Sequence, residues 1–327
     1  MPDPTRIDTT RIATTRIATT RIAIVGMGKI ARDQHVPEIA ASPAFTLAAT
    51  VDPVARLEGV EGYGDLDALL AARPDVTAVA LCTPPQVRFA LARAALMAGR
   101  DVLLEKPPGV TVAEVQTLER LAAARGRVLF TAWHSQFAPG IEAARDWLAS
   151  RRVTGIEVIW REDVRWSHPG QDWIFEPGGT GVYDPGINAL SILTRIVPAD
   201  LRVVSAEHDL PANRAAPIGA RLVMATEDGA PVTMDMDFRE AGEARWDMVI
   251  RTDRGELRLS RGGAVVSAPG LDVARTGGAL PDEYRRIYER FADLIALRRS
   301  DVDAAPLQLT ADAFLAARWA PADDFAW

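Results

Sequence analysis

The sequence is poor in the residues that form disulfides and hold metal ions. Its 327 residues include one cysteine, Cys82, which excludes an internal disulfide and any site built from several thiolates. The four histidines lie at positions 35, 134, 168 and 208, without an HExxH motif or a comparable ligand spacing. We therefore expect no metal ion among the cofactors.

An excess of basic charge and long apolar runs are also missing. Lys plus Arg number 37 against 44 for Asp plus Glu, so the net charge is −7 and the surface repels a phosphate backbone. No apolar run approaches the roughly 20 residues that cross a bilayer. We expect no nucleic-acid partner and no membrane partner. We expect the protein to be soluble and cytoplasmic. At roughly 100–200 residues per domain, the length predicts two domains.

The first twenty residues repeat a pentad reading Thr-Arg-Ile-Ala-Thr. A period of five places the isoleucines neither on one face of a strand nor on one stripe of a helix. An Arg- and Thr-rich start is compatible with a transit peptide, but Asp3 and Asp8 are present and no hydrophobic segment follows. We predict that residues 1–20 form a disordered tail.

The first strand leads into a glycine-rich turn. Arg21-Ile-Ala-Ile-Val is followed by Gly26-Met-Gly28-Lys-Ile-Ala31 and a helical pattern, the order of a dinucleotide-binding turn. Gly26 permits the tight turn, and Gly28 lets the backbone approach a pyrophosphate. The next strand ends in Asp52, whose carboxylate would accept hydrogen bonds from ribose hydroxyls and repel a 2′-phosphate. This predicts NAD, although Asp52 is also compatible with a plain turn, and Arg56 could admit NADP as a secondary cofactor.

Strands and helices continue to alternate up to about residue 137, as in a doubly wound parallel sheet. Three strand ends then meet at one rim, carrying residues 82–85, 105–108 and 133–134. Lys106 is followed by two prolines that restrict its backbone. A lysine beside a nicotinamide can take the proton of an alcohol as the hydride leaves carbon. An exposed lysine before a Pro-Pro turn is the alternative, and Cys82 is expected to be a buried strand residue.

The pattern changes after residue 137. Val232, Met234, Met236 and Phe238 alternate with polar residues, which indicates an antiparallel sheet with one covered face. The fold class is therefore α/β: an N-terminal Rossmann dinucleotide-binding domain (21–137) and a C-terminal α+β domain (138–327) with a large open-faced, mostly antiparallel sheet. The second domain is expected to serve the substrate and oligomerisation, and its uncovered face is a candidate for helix packing or for a homodimer contact.

A polar and aromatic segment runs from Glu162 to Asn188. Carboxylates, amides and tryptophan faces are the groups with which proteins hold sugars. Asp184 before Pro185 also fits an ordinary helix N-cap, and His168 before a proline also fits a loop. Asn188 lies one helical turn beyond Asp184, so both side chains could face one cleft.

Three motifs together resemble the Gfo/Idh/MocA family (glucose–fructose oxidoreductase/inositol dehydrogenase): Gly26-x-Gly28-x-x-Ala31, Glu105-Lys106-Pro107 and Gly181-x-x-Asp184-x-Gly186. The resemblance covers the chain from residue 21 onward. It implies a Rossmann domain joined to an open-faced sheet, with Lys106 and Asp184 as the catalytic residues. The positions that it implies for cofactor binding are Gly26, Gly28, Lys29, Ile30, Asp52, Thr83, Pro84, Glu105 and Lys106.

Longer strings, among them Gly28-Lys-Ile-Ala-Arg-Asp-Gln-His-Val-Pro37 and Glu162-Asp-Val-Arg165, resemble bacterial dehydrogenases that act on D-galactose or L-arabinose. This implies an NAD-dependent aldose 1-dehydrogenase that oxidises C1 to the aldonolactone by hydride transfer. The alternatives are a family oxidoreductase acting on another polyol, such as inositol or a deoxy sugar, and a non-catalytic sugar or NAD sensor. The positions that it implies for sugar binding are His134, Glu162, His168, Asn188 and Trp246.

Two departures from the family pattern bear on the mechanism. Many members carry His where this chain has Asn188, so acid–base work is expected to fall on Lys106 and Asp184. Which of the two is the formal base stays open, because their charges are coupled. The sugar dehydrogenases tend to have Trp directly before His168, whereas here Trp166 stands two positions before it. This puts the pocket wall, and the choice between galactose and arabinose, in doubt.

Overall fold

The structure is a computed structural model that describes residues 19–274 and 280–327. The predicted tail therefore lies outside the described residues except for its last two, and Thr20 already belongs to the first strand. No helix in the described ranges is long and apolar enough to span a membrane.

The first sheet has six parallel strands in the order β3-β2-β1-β4-β5-β6. Its strands are β1 (Thr20–Val25), β2 (Phe45–Val51), β3 (Gly62–Tyr63), β4 (Ala78–Leu81), β5 (Asp101–Glu105) and β6 (Leu129–Ala132). The connecting helices are α1 (Val36–Ala41), α2 (Leu66–Ala72), α3 (Pro85–Met97) and α4 (Val112–Arg125). The strand order reverses between β1 and β4, and ligands of such sheets bind beyond the strand ends at this point. The predicted Rossmann fold is confirmed.

Local signals explain where these elements begin. Thr111 caps α4 by accepting from the backbone of Glu114, which returns the bond in a capping box. A π-helical turn, Ala31–His35, precedes α1 and lies directly after the glycine-rich turn. One consequence is that His35 is fully buried and faces the sheet interior.

Among the described residues, the second sheet has nine strands in the order β14-β13-β12-β11-β7-β10-β9-β8-β15, and only the pairs β7/β10 and β8/β15 are parallel. The strands are β7 (Val153–Arg161), β8 (Leu201–Pro211), β9 (Gly219–Thr226), β10 (Pro231–Asp237), β11 (Arg245–Thr252), β12 (Gly255–Ser260), β13 (Val265–Ala268), β14 (Leu271–Ala274) and β15 (Ala317–Ala322). The remaining helices are α5 (Ile141–Leu148), α6 (Val164–Ser167), α7 (Tyr183–Ile196), α8 (Leu280–Leu297) and α9 (Ala305–Ala316).

One face of this sheet is covered and the other is open, as the alternation predicted. Val232, Met234, Met236 and Phe238 are buried in a core shared with α5, α7 and α9. The open face carries rows of ion pairs, among them Arg161 with Asp235 at 2.6 Å.

Helix α8 packs on the first sheet. Its buried side chains, Tyr284, Ile287, Tyr288, Phe291 and Leu294, share a core with β1, β4 and β6. The predicted division at residue 137 places this helix by sequence in the second domain, whereas its packing places it against the first. The helix thereby brings side chains from late in the chain beneath the nucleotide-binding rim.

Candidate active site

The glycine-rich turn has the shape that a pyrophosphate requires. Gly26 has a φ of 90°, and a Cβ there would lie 2.9 Å from the backbone nitrogen of Thr83. A Cβ on Gly28 would meet nothing within 4 Å, so the space above this residue is open. The Thr83 hydroxyl is buried without a partner among the described residues. Lys29 is exposed and pairs with Asp33. The turn therefore fits a dinucleotide.

Asp52 links the end of β2 to this turn. Its Oδ2 accepts from the Met27 backbone at 2.9 Å, and its Oδ1 accepts from Val54 and Ala55 at 3.0 and 2.8 Å. Burial opposes the charge, but these three N–H groups hold the pKa of Asp52 below its usual value. Asp52 thus caps the following turn and also reaches the glycine-rich turn. The Arg56 guanidinium donates to the Asp52 carbonyl at 2.6 Å and lies beside it.

Glu105 forms a buried ion pair with His35. Glu105 Oε1 lies 3.0 Å from His35 Nε2 and accepts from the Tyr284 hydroxyl at 2.6 Å, while Oε2 accepts from the Lys106 backbone at 2.9 Å. Burial opposes both charges, yet the pKa of Glu105 is lowered to about 2, chiefly by His35, and the pKa of His35 is raised to about 10 by Cys82 and Glu105 together. The structure places the Glu105 carboxylate in this network, although a cofactor contact was expected for it.

Arg88 holds the loop that follows Glu105. This buried guanidinium donates to the carbonyl of Glu105 at 2.6 Å and also to the carbonyls of Pro107 and Thr83. Burial lowers its pKa to about 10. Two of the rim segments are therefore tied together by one side chain, which no sequence motif indicated.

Lys106 and Asp184 meet at the centre of the rim. Lys106 Nζ donates to the Asp184 carbonyl at 2.9 Å and to Asp184 Oδ2 at 3.1 Å. His168 Nε2 lies 3.1 Å from the same Oδ2. Burial alone would raise the pKa of Asp184, but Lys106 and His168 hold it well below its usual range. The carboxylate is therefore ionised between two nitrogen groups.

The N-cap interpretation of Asp184 is wrong. Helix α7 begins at Tyr183, so Asp184 lies inside its first turn and its side chain points to Lys106. The helix sits directly on β10, because a Cβ at Gly186 would overlap the sulfur of Met236. The Tyr183 hydroxyl bonds to Nε2 of the buried His208 at 2.8 Å. These contacts fix the position of the Asp184 carboxylate.

Three buried acceptor oxygens near this centre lack a hydrogen-bond partner among the described residues: Asp184 Oδ1, Glu162 Oε1, which lies 3.6 Å from His168 Nδ1, and Asn188 Oδ1, one helical turn beyond Asp184. The other Glu162 oxygen accepts from Trp246 Nε1 at 2.8 Å. The Trp246 ring stacks on Trp160 with centroids 6.2 Å apart. Buried acceptors without a donor are uncommon and costly, so their clustering indicates a ligand that brings several donors.

His134 is positioned by a residue that the sequence reasoning missed. His134 Nδ1 lies 2.7 Å from Glu283 Oε2, and the imidazole stacks on Tyr284 with centroids 5.7 Å apart. Both partners come from α8. The i, i+3, i+4, i+7 spacing of its apolar residues could have predicted this helix, but no local signal points to Glu283.

Trp166 does not pack into the pocket wall, since 73% of its surface is exposed. The aromatic residue that contacts Glu162 is Trp246. In the described ranges, no group of three or more His, Cys, Asp or Glu side chains is arranged to hold a metal ion.

Residues 20–133 match the oxidoreductase family with an NAD-binding Rossmann fold, Gfo/Idh/MocA. Galactose 1-dehydrogenase of Pseudomonas fluorescens is 45% identical to this chain over 292 residues, which cover 89% of this chain and 93% of that protein. The chain belongs to the Gfo/Idh/MocA family. The predicted membership is thereby confirmed, and with it an NAD-binding oxidoreductase fold.

Two solved structures show how far the likeness extends. The crystal structure of D-galactose-1-dehydrogenase from Rhizobium etli superposes with a TM-score of 0.88 at 46% identity, covering 94% of this chain and 98% of that one. The 3-ketoreductase KijD10 from Actinomadura kijaniata superposes with a TM-score of 0.80 at 19% identity, covering 93% and 99%, and supports the fold alone.

Proposed function

We propose that this chain is an NAD-dependent aldose 1-dehydrogenase that oxidises C1 of D-galactose, L-arabinose or both to the aldonolactone. The observation that carries the proposal is the set of buried oxygens on Glu162, Asp184 and Asn188 that lack a hydrogen-bond partner among the described residues, with Asp184 bonded to Lys106. A sugar ring supplies hydroxyl donors at several adjacent positions, and a carboxylate or amide oxygen accepts from them. The two relatives named galactose dehydrogenases support the same substrate.

The fit of the glycine-rich turn supports a cofactor site at this rim. The backbone of Gly26, Gly28, Lys29 and Ile30 would hold the pyrophosphate, and Asp52 the adenosine ribose. Thr83 and Pro84 would line the rim beside it. Arg56, adjacent to Asp52, would allow NADP as a secondary cofactor. NAD, when bound, supplies the hydride acceptor.

The residues at the centre have separate tasks. Lys106 Nζ and the Asp184 carboxylate remove the proton of the C1 hydroxyl as a coupled pair, since they share a hydrogen bond of 3.1 Å. Glu162, Asn188 and His134 orient the ring hydroxyls. The Trp246 ring, held by Glu162, offers an apolar face to the ring carbons.

D-galactose and L-arabinose share their ring stereochemistry and differ at the C6 hydroxymethyl. One set of acceptors can therefore serve both sugars. Trp166 is exposed, so it does not form a packed aromatic wall of the sugar pocket.

The test is NADH formation by the purified protein with D-galactose, L-arabinose, D-xylose, D-glucose and myo-inositol offered in parallel. We expect turnover of the first two. Activity with another polyol alone would retain the family chemistry and refute the substrate. Binding of sugar and NAD without NADH formation would indicate a sensor.

Lys106→Ala is the variant that separates chemistry from binding. We expect NAD binding to persist and turnover to be abolished, because the nitrogen that bonds Asp184 is lost. A decrease of less than about tenfold, or about 1.4 kcal/mol, would contradict the assigned role.

We also propose a homodimer through the open face of the second sheet and a cytoplasmic location. The open face carries positive and negative side chains, including the pairs Arg161–Asp235 and Arg251–Glu157. A surface with both charges can pair with a second copy of itself. Analytical ultracentrifugation of wild type and Arg161→Glu is the check. A wild type that is monomeric at micromolar concentration would refute the dimer.

A further inference from the structure

The Asp184 carboxylate receives two nitrogen groups on one oxygen. Lys106 Nζ and His168 Nε2 both lie 3.1 Å from Oδ2. They come from different elements, Lys106 from the end of β5 and His168 from the loop after α6. The two nitrogen groups therefore reach the same Asp184 oxygen from two separate segments of the chain.

The second ring nitrogen of His168 faces another way. Nδ1 lies 2.9 Å from the Ser167 hydroxyl and 3.6 Å from Glu162 Oε1. The polar groups around the imidazole are therefore Asp184 from α7, Glu162 after β7 and the Ser167 hydroxyl. The ring centroid of Phe238 lies 6.1 Å from that of His168, and Lys106 contacts the same Asp184 oxygen. Both nitrogens have a polar neighbour, so the ring can take a proton on one side and release it on the other.

Exposure indicates the direction of transfer. The Asp184 side chain is 2% exposed and that of His168 is 19% exposed. Beyond His168, Pro169 and Gly170 are exposed, and Ser167 is half-buried. The loop that carries His168 therefore offers the proton a path to water.

The reaction needs such a route. Oxidation of the C1 alcohol transfers a hydride to the nicotinamide, breaks the O–H bond and forms the C=O bond, leaving one proton per turnover on the Lys106/Asp184 pair. Asp184 cannot store it, since its pKa is held well below the usual range. The proton must therefore leave before the next substrate reacts.

We propose that His168 is the relay residue that carries this proton from the Lys106/Asp184 pair to solvent, taking it up at Nε2 and releasing it from Nδ1. The inference rests on the proposed function and extends it, because a sugar contact alone would not require the bond to Asp184. It assigns His168 a task beyond orienting the substrate.

His168→Gln is the test, because glutamine can keep a hydrogen bond to Asp184 while it cannot exchange a proton. We expect kcat with D-galactose and NAD to fall at least about tenfold, while KM for the sugar changes less than about threefold. Added imidazole should restore part of kcat in His168→Gln and leave wild type unchanged. Arg165→Gln is the matched control. Arg165 is an exposed residue of α6, the short helix directly before His168, and its variant should retain wild-type kcat.

Sugar binding is measured separately, by titrating the NADH complex with D-galactose and following tryptophan fluorescence. An unchanged dissociation constant with a low kcat supports the relay. A weaker dissociation constant with an unchanged kcat makes His168 a sugar contact only and overturns it. If His168→Gln does not fold, His168→Asn takes its place with the same criteria. Wild type that oxidises none of the sugars would instead overturn the proposed function.

Discussion

Replacing Glu105 by glutamine tests the buried ion pair beneath the rim. The substitution preserves size and one carbonyl oxygen, but it removes the charge that His35 faces at 3.0 Å. Both side chains are almost completely buried. Without the carboxylate, burial will drive His35 to its neutral form, and the bond that orients the Lys106 backbone will weaken.

The size of the effect follows from the pKa of His35. A rise from 6.5 to about 10 corresponds to at most about 5 kcal/mol of stabilisation, of which Glu105 supplies only a part because Cys82 also raises the pKa of His35. Removing one partner of a buried pair costs about 3–5 kcal/mol. We therefore expect the free energy of unfolding at pH 7 to fall by about 3–5 kcal/mol in Glu105→Gln.

The pH dependence provides a second check. The folded pKa of His35 is raised, so its contribution is complete below pH 6.5 and is lost as the pH rises through about 10. The folded pKa of Glu105 is lowered, so its contribution is present above pH 4.5 and is lost as the pH falls through about 2. The difference between wild type and variant should be largest between pH 4.5 and 6.5 and should shrink as the pH rises towards about 10.

Urea unfolding followed by circular dichroism at pH 6, 8 and 10 measures this difference, with His35→Gln and the double variant completing a cycle. A loss below about 1 kcal/mol at pH 7 would refute the ion pair, since a surface pair contributes no more than that. A loss of the same size at pH 10 would show that His35 is not the charged partner.

Three further changes have defined outcomes. Glu283→Gln should raise KM for the sugar severalfold and leave KM for NAD unchanged, because the tautomer of His134 is no longer fixed. Initial rates measured with each substrate varied will give both KM values, and equal effects on the two would contradict this role of Glu283. Burial lowers the pKa of His208 to about 4, so the stability that its neutral imidazole contributes is lost as the pH falls from 6.5 to about 4. Wild type should therefore lose more thermal stability over that range than His208→Gln, whose glutamine cannot take up a proton. Asp52→Ser should shift the ratio of kcat/KM values towards NADP by at least about tenfold, and an unchanged ratio would exclude the ribose contact.

Much of the molecule can be predicted from the sequence because its signals are local. The glycine-rich turn, the alternation of strands with helices and the Glu105-Lys106-Pro107 segment each lie within a few residues, so they indicated the Rossmann domain, the rim and Lys106. Alternation along β10 indicated the open-faced sheet for the same reason. The sequence also indicated Asp184, either as a site residue or as the N-cap of a helix. These two interpretations differ in where α7 begins.

The tertiary structure decided which side chains act together. His35 meets Tyr288 across 253 positions and His134 meets Glu283 across 149, because α8 folds back onto the first sheet. His168 reaches Asp184 because the loop after α6 turns towards α7. Such contacts depend on how elements pack, and no periodicity or spacing within one segment contains that information. The sequence by itself indicated the fold and the positions of Lys106 and Asp184, whereas packing decided which side chains hold them.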